Sequence, residues 1–217
     1  MLFRSSDAEA LIAAARETGV TLFTAWHSRE GAAVAQARAW VEKASLRSIA
    51  ITWKEDVRVW HPGQQWITEA GGFGIFDPGI NALSILTTIV PQSIRLTAAA
   101  LQIPANWQAP IAAQIDMQTA NLVPIYAEFD FRQTGRQSWD IRIQAEEGSL
   151  LLSNGGNQLS IDGMAQPCAE EDEYAALYRK FATLVGDGRS EVDIGPLKLV
   201  ADAFLLGQMT ATDAFAM

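Results

Sequence analysis

Cysteine occurs once in this chain, at Cys168, and histidine twice, at His27 and His61. A single thiol excludes an internal disulfide, and so small a Cys/His set excludes a structural zinc site, so no metal is required and a reducing compartment fits. Long hydrophobic runs are also missing. No stretch reaches the roughly 18 uninterrupted apolar residues that a membrane helix needs, and the first residues lack the basic-then-apolar pattern of a signal peptide. The expectation is a soluble cytoplasmic protein. Basic residues are in the minority, 16 against 25 acidic for a net charge of -9, and they are scattered, which excludes nucleic acid as an expected partner. No G-x-G-x-x-G and no P-loop pattern occurs, and neither histidine adjoins a nucleophile elbow. Gly71-Gly72-Phe73-Gly74 is too short to count as a phosphate-binding loop.

What is present suffices for a folded unit. A chain of 217 residues that is 49% hydrophobic buries a large core. Its seven tryptophans fall into two groups. Trp40 and Trp53 sit in apolar periodic segments and read as core, while several others lie beside polar, loop-forming residues, where an aromatic face can stack on a sugar.

The chain opens on Ser6-Asp7-Ala8-Glu9, a capping box, followed by apolar residues at helical spacing and a stop at Gly19. Val20 to Trp26 reads as a short strand, so the first unit is an αβ pair of the kind found at a parallel sheet edge, with no neighbour preceding it. Ala32 to Lys43 is a second helix. Leu46 to Lys54 is a strand with Ile49, Ile51 and Trp53 on one face. Glu55 to Gly74 reads as loop and Ile75 to Val90 as a buried helix. Strand-sized runs follow at Ser93 to Leu101, Ala112 to Thr119, Leu122 to Phe131, Ser138 to Glu146, Ser149 to Ser153 and Gln158 to Ile161, several divided by turn residues. Helices at Glu173 to Val185, behind acidic residues suited to a helix start, and at Pro196 to Thr210 close the chain. The expected class is α+β, a largely antiparallel open-faced sheet with helices on one face.

Asp77 and Asn81 are the most unusual polar residues, four apart in an apolar helix and so on one face. Burying a carboxylate there is costly unless it is paired or used. Two readings stand side by side: a reacting carboxylate, or an N-cap with Pro78 at the first helical position. A second cluster runs from Lys54 to Trp66, where charged, aromatic and imidazole groups alternate; a solvated loop explains it equally well. His27 alone reads as a structural histidine, Cys168 as inert, and the run Glu170 to Glu173 as a solvated helix start.

Taken together, Thr24 to Arg29, Trp53 to Gln64 and Gly71 to Ser84 resemble the glucose-fructose oxidoreductase, inositol dehydrogenase and MocA superfamily, and within it the branch of sugar 1-dehydrogenases acting on D-galactose and L-arabinose. The resemblance implies that residues 1–28 are the remnant of a Rossmann NAD(P)-binding domain and residues 29–217 a substrate-binding and oligomerisation domain. It implies NAD or NADP as cofactor of a longer parent, bound upstream of Met1 together with a catalytic lysine, and no tight cofactor binding by this chain alone. Asp77 becomes the acid/base candidate. Asn81 stands where many members have histidine, and is implied as a neutral orienter. His27, Glu55, Trp60, His61 and Trp139 are implied to line a pocket for a small-molecule aldose, with Asn106 and Gln108 as weaker candidates. The sheet face is implied to pair in a homo-oligomer. Alternatives are another polyol or inositol-type dehydrogenase and a catalytically silent sugar-binding or dimerisation module.

Overall fold

The computed structural model describes residues 5–169 and 172–217. Helix α1 (Ser5–Thr18) ends where Gly19 takes a φ of 69°, the left-handed conformation that stops a helix at little cost to glycine. Ser6 lies inside the helix rather than capping it, because the first turn begins before it. Residues 20–26 correct the expected strand. Only Phe23 makes a bridge, parallel to Glu191, and a pairing one residue long builds no ladder.

Helix α2 (Val34–Val41) leads into β1 (Leu46–Lys54), whose buried residues are Ile49, Ile51 and Trp53, as the period-two pattern required. The region read as loop contains the short helix α3 (Val57–Trp60) and a 3-10 turn at Gln65–Thr68. Asp56 explains the first of these: its carboxylate accepts from the Arg58 backbone N–H at 3.0 Å, an N-cap that interrupts the loop. Helix α4 (Phe76–Ile89) is the buried helix, with most of its residues in the core. Strands β2 (Ile94–Pro104), β3 (Ala112–Thr119), β4 (Pro124–Asp130), β5 (Ser138–Ala145), β6 (Gly148–Ser153) and β7 (Gln158–Ile161) follow the expected order, with a two-residue β8 (Met164–Ala165) added. Helix α5 (Glu173–Gly186) starts at Asp172, whose carboxylate accepts from the N–H groups of Tyr174 and Ala175. Glu170 and Glu171 of the acidic run lie outside the described residues. Helix α6 (Gly195–Leu206) stops four residues short of the expected end, and β9 (Gln208–Thr212) takes its place.

Among the described residues one sheet forms, in the order β8-β7-β6-β5-β1-β4-β3-β2-β9. Its neighbours pair antiparallel except β1 with β4 and β2 with β9. The α+β expectation therefore holds. Alternate residues of the central strands, such as Ile125, Ala127 and Phe129, point into the core, and their neighbours Tyr126 and Gln114 face outward. Helices α2, α4 and α6 cover the inner face. No helix among the described residues is long and apolar enough to cross a membrane.

The start of α4 is fixed by a close backbone approach. Gly74 has a φ of 55°, and a Cβ on it would collide with the carbonyl oxygen of Pro110, which also accepts from the Ile75 N–H at 2.8 Å. Gly74→Ala is expected to destabilise the fold by about 2 kcal/mol or more, read as a lower urea midpoint with unchanged slope. An unchanged midpoint would show that the loop rearranges freely.

Candidate active site

The alternation along β1 does not stop at its end. Ile49, Ile51 and Trp53 face inward, and Glu55, two residues further, continues the same side and is 2% exposed. A carboxylate this deep needs partners, and it has two. Glu55 Oε2 accepts from the Trp139 indole N–H at 2.8 Å, and Oε1 lies 2.7 Å from His61 Nε2. Sheet register brings Trp139 there: β1 and β5 pair Trp53 directly with Trp139, the rings stacking at 6.0 Å. Trp60 packs edge-on against Trp139 at 4.6 Å. The α3 turn then delivers His61, which sits edge-on to Phe131 at 5.3 Å.

His61 carries the chain of polar contacts to α4. Its Nδ1 lies 3.4 Å from Gln64 Oε1 and 3.6 Å from Asp77 Oδ2. Asp77 is in the first turn of α4, after the N-cap position at Ile75, and makes no capping bond. Of the two readings left open by the sequence, the cap is therefore set aside. Asn81 is one turn further on and lines the same cavity, and among the described residues its side-chain amide makes no hydrogen bond, so it is available to a ligand. Burial raises Asp77 above the ordinary carboxylate range; the charge of His61 opposes this and that of Glu55 adds to it. For His61, burial works against the charged form. The hydrogen bond and charge of Glu55, helped by Gln64 and Asp77, outweigh it, and the imidazole titrates above its usual value.

The opposite wall comes from the 3-10 turn at His27–Glu30 and the start of α5. Arg29 ties that turn to α4 through the Ser84 carbonyl and the Thr87 hydroxyl, each at 3.0 Å, and pairs with Asp193. His27 Nδ1 is 2.9 Å from Glu173 Oε1.

These walls line a cavity of about 550 Å³ that collects seven of the site residues the sequence singled out: Asp77, Asn81, His27, Glu55, Trp60, His61 and Trp139. It also holds Ser28, Gln64, Asn154, Asn157, Glu173 and Tyr174. Ser28 and Gln64 stand in segments that carried the resemblance, whereas Glu173 read as a solvated helix start. No local signal could place α5 against His27, since 146 residues separate the bonded pair. Asn106 and Gln108 are corrections. The Asn106 amide donates to and accepts from the backbone of Phe215, and Gln108 accepts from the Ala70 N–H, so both serve as loop ties away from the cavity. Among the described residues no cluster of three or more His, Cys, Asp or Glu could hold a metal.

No family model matches the chain. A crystal structure of D-galactose-1-dehydrogenase from Rhizobium etli superposes with a TM-score of 0.94 at 48% identity, over 98% of this chain and 68% of that one. The chain belongs to the galactose 1-dehydrogenase family. Galactose 1-dehydrogenase of Pseudomonas fluorescens is 51% identical over 183 residues, 84% of this chain. The chain spans 60% of that relative's length. At fold level alone, a point mutant of KijD10, a 3-ketoreductase from Actinomadura kijaniata solved with TDP-benzene and NADP, matches with a TM-score of 0.81 at 16% identity, over 95% of this chain and 69% of that one. The sugar 1-dehydrogenase resemblance drawn from the sequence is thereby borne out.

Proposed function

We propose that this chain supplies the sugar site of an NAD- or NADP-dependent aldose 1-dehydrogenase acting on D-galactose or L-arabinose. The observation that carries the reading is Asp77, a carboxylate with raised proton affinity in a cavity lined by indole rings and polar side chains. Oxidation at C1 removes the proton of the anomeric hydroxyl and a hydride from C1, leaving a lactone carbonyl. Asp77 takes the proton, for which a carboxylate of raised pKa suits an acid/base role. Asn81 and His61 hold hydroxyls and orient the ring, and Trp60 and Trp139 supply stacking surface.

A nicotinamide cofactor supplies the hydride acceptor when bound. Residues 1–28 are proposed as the last part of the domain that binds it, with the sugar domain from residue 29.

The outward sheet face, with Tyr126, Ala98 and Ala100 exposed, is proposed as the homo-oligomer surface. The test of function is an aldose panel. The chain fused to a nicotinamide-binding domain is expected to reduce NAD(P) with galactose or arabinose, and the 217-residue chain alone to do so with none. Turnover with inositols but no aldose would replace this reading with a cyclitol dehydrogenase.

A further inference from the structure

The cavity contains two histidines, and each is held by a carboxylate through a different ring nitrogen. His61 is bonded through Nε2 to Glu55, whereas His27 is bonded through Nδ1 to Glu173 at 2.9 Å. A carboxylate only accepts, so Nδ1 of His27 carries the proton, and in the neutral ring Nε2 is left as an acceptor. Among the described residues no protein group is bonded to that Nε2, and the ring, 28% exposed, lines the cavity. Tyr174 stacks on the same ring at 4.9 Å, nearly parallel, and fixes its plane.

The helix start that carries this carboxylate is held firmly. Asp172 caps the first turn of α5, at 2.9 and 3.0 Å from the Tyr174 and Ala175 N–H groups. Two turns along, Lys180 bonds Glu30, in the same 3-10 turn as His27, at 3.2 Å, and Phe181 stacks on Phe23 at 5.8 Å. The start of α5 and the His27 turn thus form one clamped unit.

We propose that Glu173 is a positioning residue for sugar selection: it holds His27 in the Nδ1–H tautomer, so that Nε2 accepts a hydrogen bond from a sugar hydroxyl away from C1. The inference rests on the reading of the cavity as an aldose site. C1 belongs at Asp77, so the His27 wall meets the other hydroxyls of the ring. An acceptor there favours substrates that present a hydroxyl to it, because an analogue lacking that hydroxyl leaves a desolvated ring nitrogen without a partner.

The test uses the whole chain, whose two histidines give an assignable imidazole spectrum. Long-range proton–nitrogen NMR is expected to show His27 protonated at Nδ1 and unprotonated at Nε2 in the wild type. In Glu173→Gln that pattern is expected to reverse or average, because an amide can also donate. D-galactose binding, followed by tryptophan fluorescence, is expected to weaken about tenfold in Glu173→Gln. In a His27→Phe background, which keeps the stacking on Tyr174, Glu173→Gln should add nothing further. An unaltered tautomer, an affinity within twofold of wild type, or full additivity of the two changes overturns the role of Glu173. If the wild-type chain binds no aldose, the functional reading itself fails and takes this contact with it; binding that ignores Glu173 fails this inference alone.

Discussion

Asp77→Asn is expected to lower aldose oxidation by about 10²- to 10⁴-fold, the usual contribution of a positioned acid or base. The assay is turnover by the chain fused to a nicotinamide-binding domain, with sugar affinity followed separately by tryptophan fluorescence. Asparagine keeps the size and the hydrogen-bonding reach of the side chain but cannot take a proton, so affinity should change by no more than a few fold. That split matters, because a loss confined to binding would mean that Asp77 only holds the sugar. Activity within tenfold of wild type would place the base elsewhere. His61, 3.6 Å from Asp77, would then be the group to test.

The second large effect concerns stability. Glu55→Ala removes the carboxylate shared by His61 and Trp139 and leaves an imidazole and an indole N–H without their partner in a buried place. The expected cost is about 3 kcal/mol in urea unfolding, the scale of breaking one side of a buried pair. The pH dependence has a definite sign. The folded pKa of His61 lies above its unfolded value of about 6.5, so its stabilisation is complete below that pH and is lost as pH rises through the folded value. Asp77 is also raised, so the native state binds its proton more tightly and stability falls as pH climbs from about 3.9 through the folded value. In Glu55→Ala the fall above pH 6.5 should flatten, because the group that does most to raise His61 is gone. A wild-type stability that rises across neutral pH would contradict the assignment of Glu55 as that group.

The sequence disclosed the site better than its surroundings. Asp77 and Asn81 stood out because polar residues at helical spacing in an apolar run are costly, and both face the cavity. Glu55 could have been placed from the β1 alternation alone, since Ile49, Ile51 and Trp53 extend to it by twos. Misreadings arose where long-range pairing overrules local pattern. The helical reading ran on through residues 208–210, but Gly207 ends the helix and β2 offers a parallel edge, so Gln208–Thr212 becomes a strand. Residues 20–26 have strand-forming side chains and only one bridged partner. The contribution of α5 was invisible because Glu173 earns its position from His27, far away in the chain, and no pattern along α5 announces that bond.

The Trp53–Trp139 pairing has one further consequence. Strand β1 works as a ruler that measures from the core to the cavity, and its last marks are Trp53 and Glu55. Adding or deleting one residue near Lys54 would turn Glu55 to the outer side of the sheet while leaving the hydrophobic strand intact. Such a protein would keep its core and lose the anchor of His61 and Trp139 together, so length in this stretch is constrained as tightly as residue identity.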